Sequence, residues 1–151
     1  MDKTSAVTWT AFDTDAPDLA AAVRERFAVR RHCTLATLRK DGSPRISGTE
    51  VDFSAGELWT GSMPGAVKAL DLQRDPRLAL HSPTVDPPEG DESGWAGEAK
   101  LSGQAQEQPA EQGGAHRFRV LLTEVVLTTL EGGQLLVMSW HPGRGVEQTR
   151  R

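Results

Sequence analysis

The chain has 151 residues, 37% of them hydrophobic and 25% charged, with a formal net charge of −4. That length supports one domain with one continuous core and is too short for two substantial ones. The balance excludes a disordered chain, and the acidity argues against a general nucleic-acid binder while allowing a local basic cradle for a phosphate.

Residues 1–14 read as a loose N-terminal arm or an edge strand, with Val7, Trp9 and Phe12 as anchors. A helix is predicted from about Asp15, with Pro17 in its first turn and Asp18 near the positive end of its dipole. Leu19, Val23 and Phe27 give it one apolar stripe, and Arg24, Arg26, Arg30 and Arg31 gather toward its C-terminal half. Strands follow over 33–38, 45–53 and 57–61, joined by the Asp41-Gly42 turn and by Ser54-Ala55-Gly56, which together make a meander. A short helix is expected over 64–73, capped by Ser62 or Met63, with Val67 and Leu70 on one face and Asp75-Pro76 as its stop.

Residues 77–81 form the next strand, and 83–94 a polar loop with four acids. Strand character resumes over 95–106, with Gly103 as a bulge or a point of close packing. Residues 107–116 read as a helical turn or a mobile loop. Then come a β-rich run over 118–130, a Gly132-Gly133 hairpin, a closing strand over 135–140, and a basic tail over 143–151. Six or seven antiparallel strands with two helices imply a mainly β domain whose sheet closes on itself to cover its edges.

The one cysteine, Cys33, allows no intrachain disulfide, and His32, His81, His116 and His141 are too scattered to suggest a metal centre. Apolar runs are short, so no membrane span is expected, and a cytoplasmic setting is the plain reading. No nucleophile elbow is recognisable, and Gly143-Arg144-Gly145 is too short for a dinucleotide fingerprint.

The most informative stretch is Thr60-Gly61-Ser62-Met63-Pro64-Gly65-Ala66-Val67-Lys68. A strand ends there in small and hydroxyl residues and a helix begins, so free N–H groups, the Ser62 hydroxyl and the Lys68 ammonium can converge on an anion. An ordinary capped helix with a solvent-facing lysine is the competing reading. Arg45, Ser47 and Thr49 share one strand face and could floor a polar groove, where Gly48 leaves room for a flat ring. Trp59, Trp95 and Trp140 could stack on a ring, cover a dimer interface or belong to the core. His81 and His141 end strands.

These pieces resemble the pyridoxamine 5′-phosphate oxidase-like split-barrel superfamily, in particular its small actinobacterial members that bind FMN or the deazaflavin F420. The resemblance spans about residues 19–142. It rests on Cys33-Thr34-Leu35-Ala36-Thr37-Leu38, on Asp41-Gly42-Ser43-Pro44-Arg45, on Leu58-Trp59-Thr60, and above all on Lys68-Ala69-Leu70-Asp71-Leu72-Gln73-Arg74-Asp75-Pro76-Arg77-Leu78-Ala79-Leu80. It implies a split β-barrel working as a homodimer, with Arg45, Ser47, Thr49, Thr60, Ser62 and Lys68 holding the cofactor and its ring against residues 46–50. The second subunit would close the pocket through Trp140, His141 or Arg144. Family members that use flavin commonly carry a basic or hydroxyl residue just before the lysine, where this chain has Val67. The implied activity is hydride transfer between cofactor and a small organic substrate, with no catalytic acid–base residue singled out. The alternatives are a carrier or sensor without turnover and, further off, a haem protein using His81 or His141.

Overall fold

The computed structural model describes residues 5–109 and 113–151. The first residues of the expected arm, 1–4, and the centre of the 107–116 segment, 110–112, lie outside the described part. The strands are β1 (His32–Leu38), β2 (Pro44–Ser54), β3 (Glu57–Ser62), β4 (Arg77–His81), β5 (Glu98–Gln108), β6 (His116–Glu131), β7 (Gln134–His141) and β8 (Gly145–Arg150). The helices are α1 (Trp9–Asp15), α2 (Pro17–Ala28) and α3 (Val67–Arg74).

All neighbouring strands pair antiparallel, in the order β3-β2-β1-β4-β5-β6, and β3 also pairs with β6. That second pairing closes a six-stranded barrel, with β7 and β8 continuing the sheet beyond β6. The 16 residues of β6 make this possible. Its first residues lie opposite β3, from Trp59↔Arg119 to Ser62↔His116, and its last opposite β7, from Val125↔Trp140 to Glu131↔Gln134. At Gly103 the β5–β6 register shifts, and a Cβ there would lie 1.7 Å from the Leu121 carbonyl oxygen. Only glycine permits that approach, so the expected close-packing point is real.

The barrel is filled from alternate strand positions by Leu35, Leu58, Leu80, Leu101, Val120 and Leu122. The helix α2 lays its predicted stripe, Leu19, Val23 and Phe27, into the same core. The arm differs from expectation. Thr8 caps a helix, its hydroxyl accepting from the Ala11 N–H at 3.1 Å, and Trp9 and Phe12 are buried on one face. Val7 makes a bridge to Leu122, so this segment is fastened to the barrel.

Two further boundaries are corrected. The helix α3 starts at Val67 behind Ala66, with no side-chain cap, because Ser62 still belongs to β3 and Met63 is exposed beyond it. The basic tail folds as β8 along β7, which raises the count to eight strands among the described residues. No helix there is long and apolar enough to cross a membrane.

Candidate functional site

On β2 the alternation places Gly48, Glu50 and Asp52 on the outer, exposed face, while Thr49, Val51 and Phe53 turn inward. On β3, Leu58 and Thr60 are buried, which turns Trp59 and Gly61 outward. The register brings these faces together: Asp52 lies opposite Trp59, and Gly61 opposite Arg117 of β6. One step beyond the Val51↔Thr60 pair, Gly61 adjoins Glu50, so the strand positions flanking it carry an acid on β2 and a base on β6. A Cβ on Gly48 would meet nothing within 4 Å. Gly48 and Gly61 therefore each contribute bare backbone to the floor, with Glu50 between them.

Around that floor opens a cleft of about 840 Å³, lined by His32, by residues 48–52 of β2, by residues 59–64, and by Lys68, Ala115, His116 and Arg117. Small-molecule sites span about 300–1,000 Å³, so a cofactor-sized ligand fits. At one end the Lys68 ammonium donates to the Gly48 carbonyl at 2.9 Å. In the wall of the same cleft the Ser62 Oγ is buried with no partner among the described residues. A buried hydroxyl left unpaired is costly. At the other end the Arg117 guanidinium lies over the Trp59 ring, 3.6 Å from its centroid, in a cation–π stack. Gly61, directly opposite Arg117, presents no side chain to obstruct this arrangement.

His116 carries the rim of the cleft. Its Nδ1 meets the Glu107 carboxylate at 2.9 Å, and its Nε2 accepts from the Gly65 N–H at 3.1 Å. Glu107 in turn accepts from the Gln73 side chain at 2.9 Å. Hydrogen bonds from His116 and then Gln73 hold the Glu107 carboxyl below its usual range, against the opposing pull of desolvation. Cys33 sits beneath the floor opposite Thr49, and burial pushes its thiol up to about 11 despite nearby Lys68. At neutral pH it is a buried thiol and no nucleophile.

The residues singled out from the sequence separate into three groups. Thr49, Thr60, Ser62 and Lys68 do line the cleft, with the Thr49 and Thr60 hydroxyls joined at 2.8 Å just below the floor. Arg45 and Ser47 do not line it. They share a face with Thr49 as expected, but the face turns inward, and the Arg45 Nε is bound to the Asp71 carboxylate at 2.7 Å. Trp140 and His141, expected to close the pocket of the second subunit, do not line the cleft of their own chain. Trp140 is 2% exposed, packs on Phe12 and donates to Asp15 at 2.8 Å, so its ring is committed to its own core. His141 pairs with Glu124 at 2.8 Å.

Reasoning from sequence missed His116 and Arg117. Both follow a glycine-rich polar stretch that reads as loop, and only the pairing of β6 with β3 brings them to the site. The alternation Arg117, Phe118, Arg119, Val120 was the available signal.

No protein-family model and no curated protein matches the chain. Solved structures do. A pyridoxamine 5′-phosphate oxidase-related, FMN-binding protein from Nostoc punctiforme superposes with a TM-score of 0.63 at 9% identity, over 90% of this chain and 95% of that one. The fold is the pyridoxamine 5′-phosphate oxidase-like split barrel. A second split barrel, PhzG from Burkholderia lata in complex with tetrahydrophenazine-1-carboxylic acid, also gives a TM-score of 0.63, at 10% identity over 99% and 93% of the two chains. A heme binding protein from Mycobacterium smegmatis gives 0.56 at 18% identity, over 86% of this chain but 57% of the other.

Proposed function

We propose that the cleft holds a phosphate-bearing flavin or deazaflavin and that the protein is an oxidoreductase acting on a small organic substrate. The observation that carries this reading is a cofactor-sized cleft whose floor includes the bare backbone of Gly48 and Gly61, with Lys68 bound to Gly48 and an unpartnered Ser62 hydroxyl in its wall. A flat ring suits the floor, and a phosphate suits the cationic, hydroxyl-bearing end. Lys68 and Ser62 would hold the phosphate, and Trp59 with Arg117 would border the ring. When bound, such a cofactor supplies hydride transfer, while the chain's part is to orient it and limit water access.

Charge supports FMN over F420. Glu50 and Asp52 stand exposed in the cleft and oppose a multiply acidic tail, and Arg45, the cation expected to meet one, is neutralised by Asp71. A homodimer completes the reading. Ile46 on the outer face of β2, and Met63, Val67 and Leu70 around the start of α3, are exposed apolar side chains near the Gly48–Lys68 contact. A haem site is the second reading, favoured by His32 in the cleft and by the heme binding protein of the same fold.

The test is equilibrium titration of the purified protein with FMN, F420 and haem, alongside Lys68→Ala and Gly48→Leu. FMN is expected to bind, with affinity falling about tenfold on losing the Lys68 charge and vanishing when a side chain fills the floor. Binding of F420 alone would move the protein to the deazaflavins, haem alone to the second reading. Binding of none would remove the cofactor role.

A further inference from the structure

The hydrogen bonds around His116 fix its protonation. A backbone N–H can donate to Nε2 only if that nitrogen carries a lone pair, so the Gly65 contact at 3.1 Å requires an unprotonated Nε2. The proton therefore sits on Nδ1, donated to Glu107. In this state the Gly65 amide, one residue past Pro64 of the cleft wall, is taken up by the imidazole and cannot serve a ligand.

Adding a proton to Nε2 turns two donors toward each other, Nε2–H and Gly65 N–H. The pair is then unfavourable unless an acceptor enters between them, and an anion oxygen is the acceptor that satisfies both. We propose that His116 is a proton-controlled member of the anion end: neutral, it locks the Gly65 amide away; protonated, it and that amide grip an anion together with Lys68 and Ser62. This rests on the reading of that end as the cofactor's phosphate site, and adds its regulation by pH.

The charged and titratable surroundings are consistent with such a role. Glu107 of β5, its carboxyl held below the usual range, lies behind the ring, while Gln73 of α3 holds Glu107 in place. Ser62 of β3 is the register partner of His116, and Phe118 stacks on the ring at 6.2 Å between centroids. Lys68 lines the same cleft from α3, Glu50 and Asp52 from β2, His32 from β1, and Arg117 from β6 itself. Proton and anion binding are then reciprocally coupled: acid strengthens anion binding, and the anion raises the affinity of His116 for its proton by the same factor.

Inorganic sulfate is the probe, because it keeps its double charge across the range in which histidine titrates. Isotope-labelled protein would be titrated with sulfate at about pH 5.5 and about pH 8, following the Gly65 amide and the His116 ring nitrogens by NMR, with His116→Gln in parallel. Glutamine keeps an acceptor for Gly65 and a donor for Glu107 but cannot titrate in this range. The wild type should bind sulfate about tenfold more tightly at the lower pH, with an unprotonated Nε2 at the higher pH in the absence of sulfate, and the variant should show no such difference. Equal affinity at both pH values in the wild type, an equal pH slope in the variant, or no sulfate binding at all would overturn the proposal. Failure of FMN to bind while sulfate binding keeps its His116-dependent slope would remove the cofactor reading alone.

Discussion

Asp71 shows how a single side chain can bind three elements. It is fully buried on α3, and its carboxylate accepts from Thr37 of β1 at 2.8 Å, from Arg45 of β2 at 2.7 Å and from Arg74 at 3.2 Å. Arg74 also donates to the Leu38 carbonyl, so the helix is held to two strands just below the cleft. Burial raises its proton affinity, but the hydrogen bonds from Arg45 and Thr37 and the two positive charges prevail and leave the carboxyl below its usual value. The sign follows: a folded-state pKa below the unfolded one stabilises fully above about pH 3.9 and is lost as pH falls through the folded value. Asp71→Asn should therefore cost about 3 kcal/mol at neutral pH by urea denaturation and should flatten the acid limb of the stability profile. None of this was legible in the sequence. Lys68-Ala69-Leu70-Asp71-Leu72 reads as an amphipathic helix with its acid in water, and the period-two rule could group Arg45 with Ser47 and Thr49 without saying which way the face turned.

At the scale of elements, legibility followed the strength of local signals. The meander of β1 to β3 was readable because apolar alternation and the Asp41-Gly42 turn agree, and the hairpin of β6 and β7 because Gly132-Gly133 falls between two β-rich runs. The helix α1 was missed because seven residues carry little periodicity, and Thr8 gains meaning as a cap only once Trp9 and Phe12 have a core to enter. The strand β8 was missed because it is nearly all polar and exposed, and its pairing with β7 alone makes it a strand. Gly103 succeeded since an isolated glycine in a strand implies close backbone approach. Gly103→Ala is expected to destabilise by about 1–3 kcal/mol or more, because its methyl would strike backbone rather than a movable side chain. Thermal denaturation would check this, and an unchanged midpoint would mean that β5 can shift away from Leu121.

For the whole molecule, the fold was legible from strand number and order, while the contents of the cleft depended on β3 pairing with β6 across more than fifty residues of sequence. The proposed dimer belongs to this scale. Ile46 is 75% exposed on the outer face of β2, a strand that also carries part of the cleft floor. Ile46→Glu should leave the thermal midpoint within the narrow range of surface changes, about ±0.5 kcal/mol in stability, yet shift sedimentation from dimer to monomer. A wild-type protein that sediments as a monomer at micromolar concentration would remove the dimer and the shared pocket with it.

The bond from Trp140 to Asp15 has a consequence for biosynthesis. Its partners are 125 residues apart. At about 5–20 residues per second a ribosome needs roughly 6–25 s to make that interval. For most of it Trp9 and Phe12 have been made, while Val120, Leu122 and Trp140, against which their segment settles, have not. The first helix is thus made long before the β6 and β7 residues it packs against. A nascent chain of this protein carries an aromatic segment that lacks its β6 and β7 partners for most of its synthesis, and cellular factors that shield such segments have their longest opportunity there.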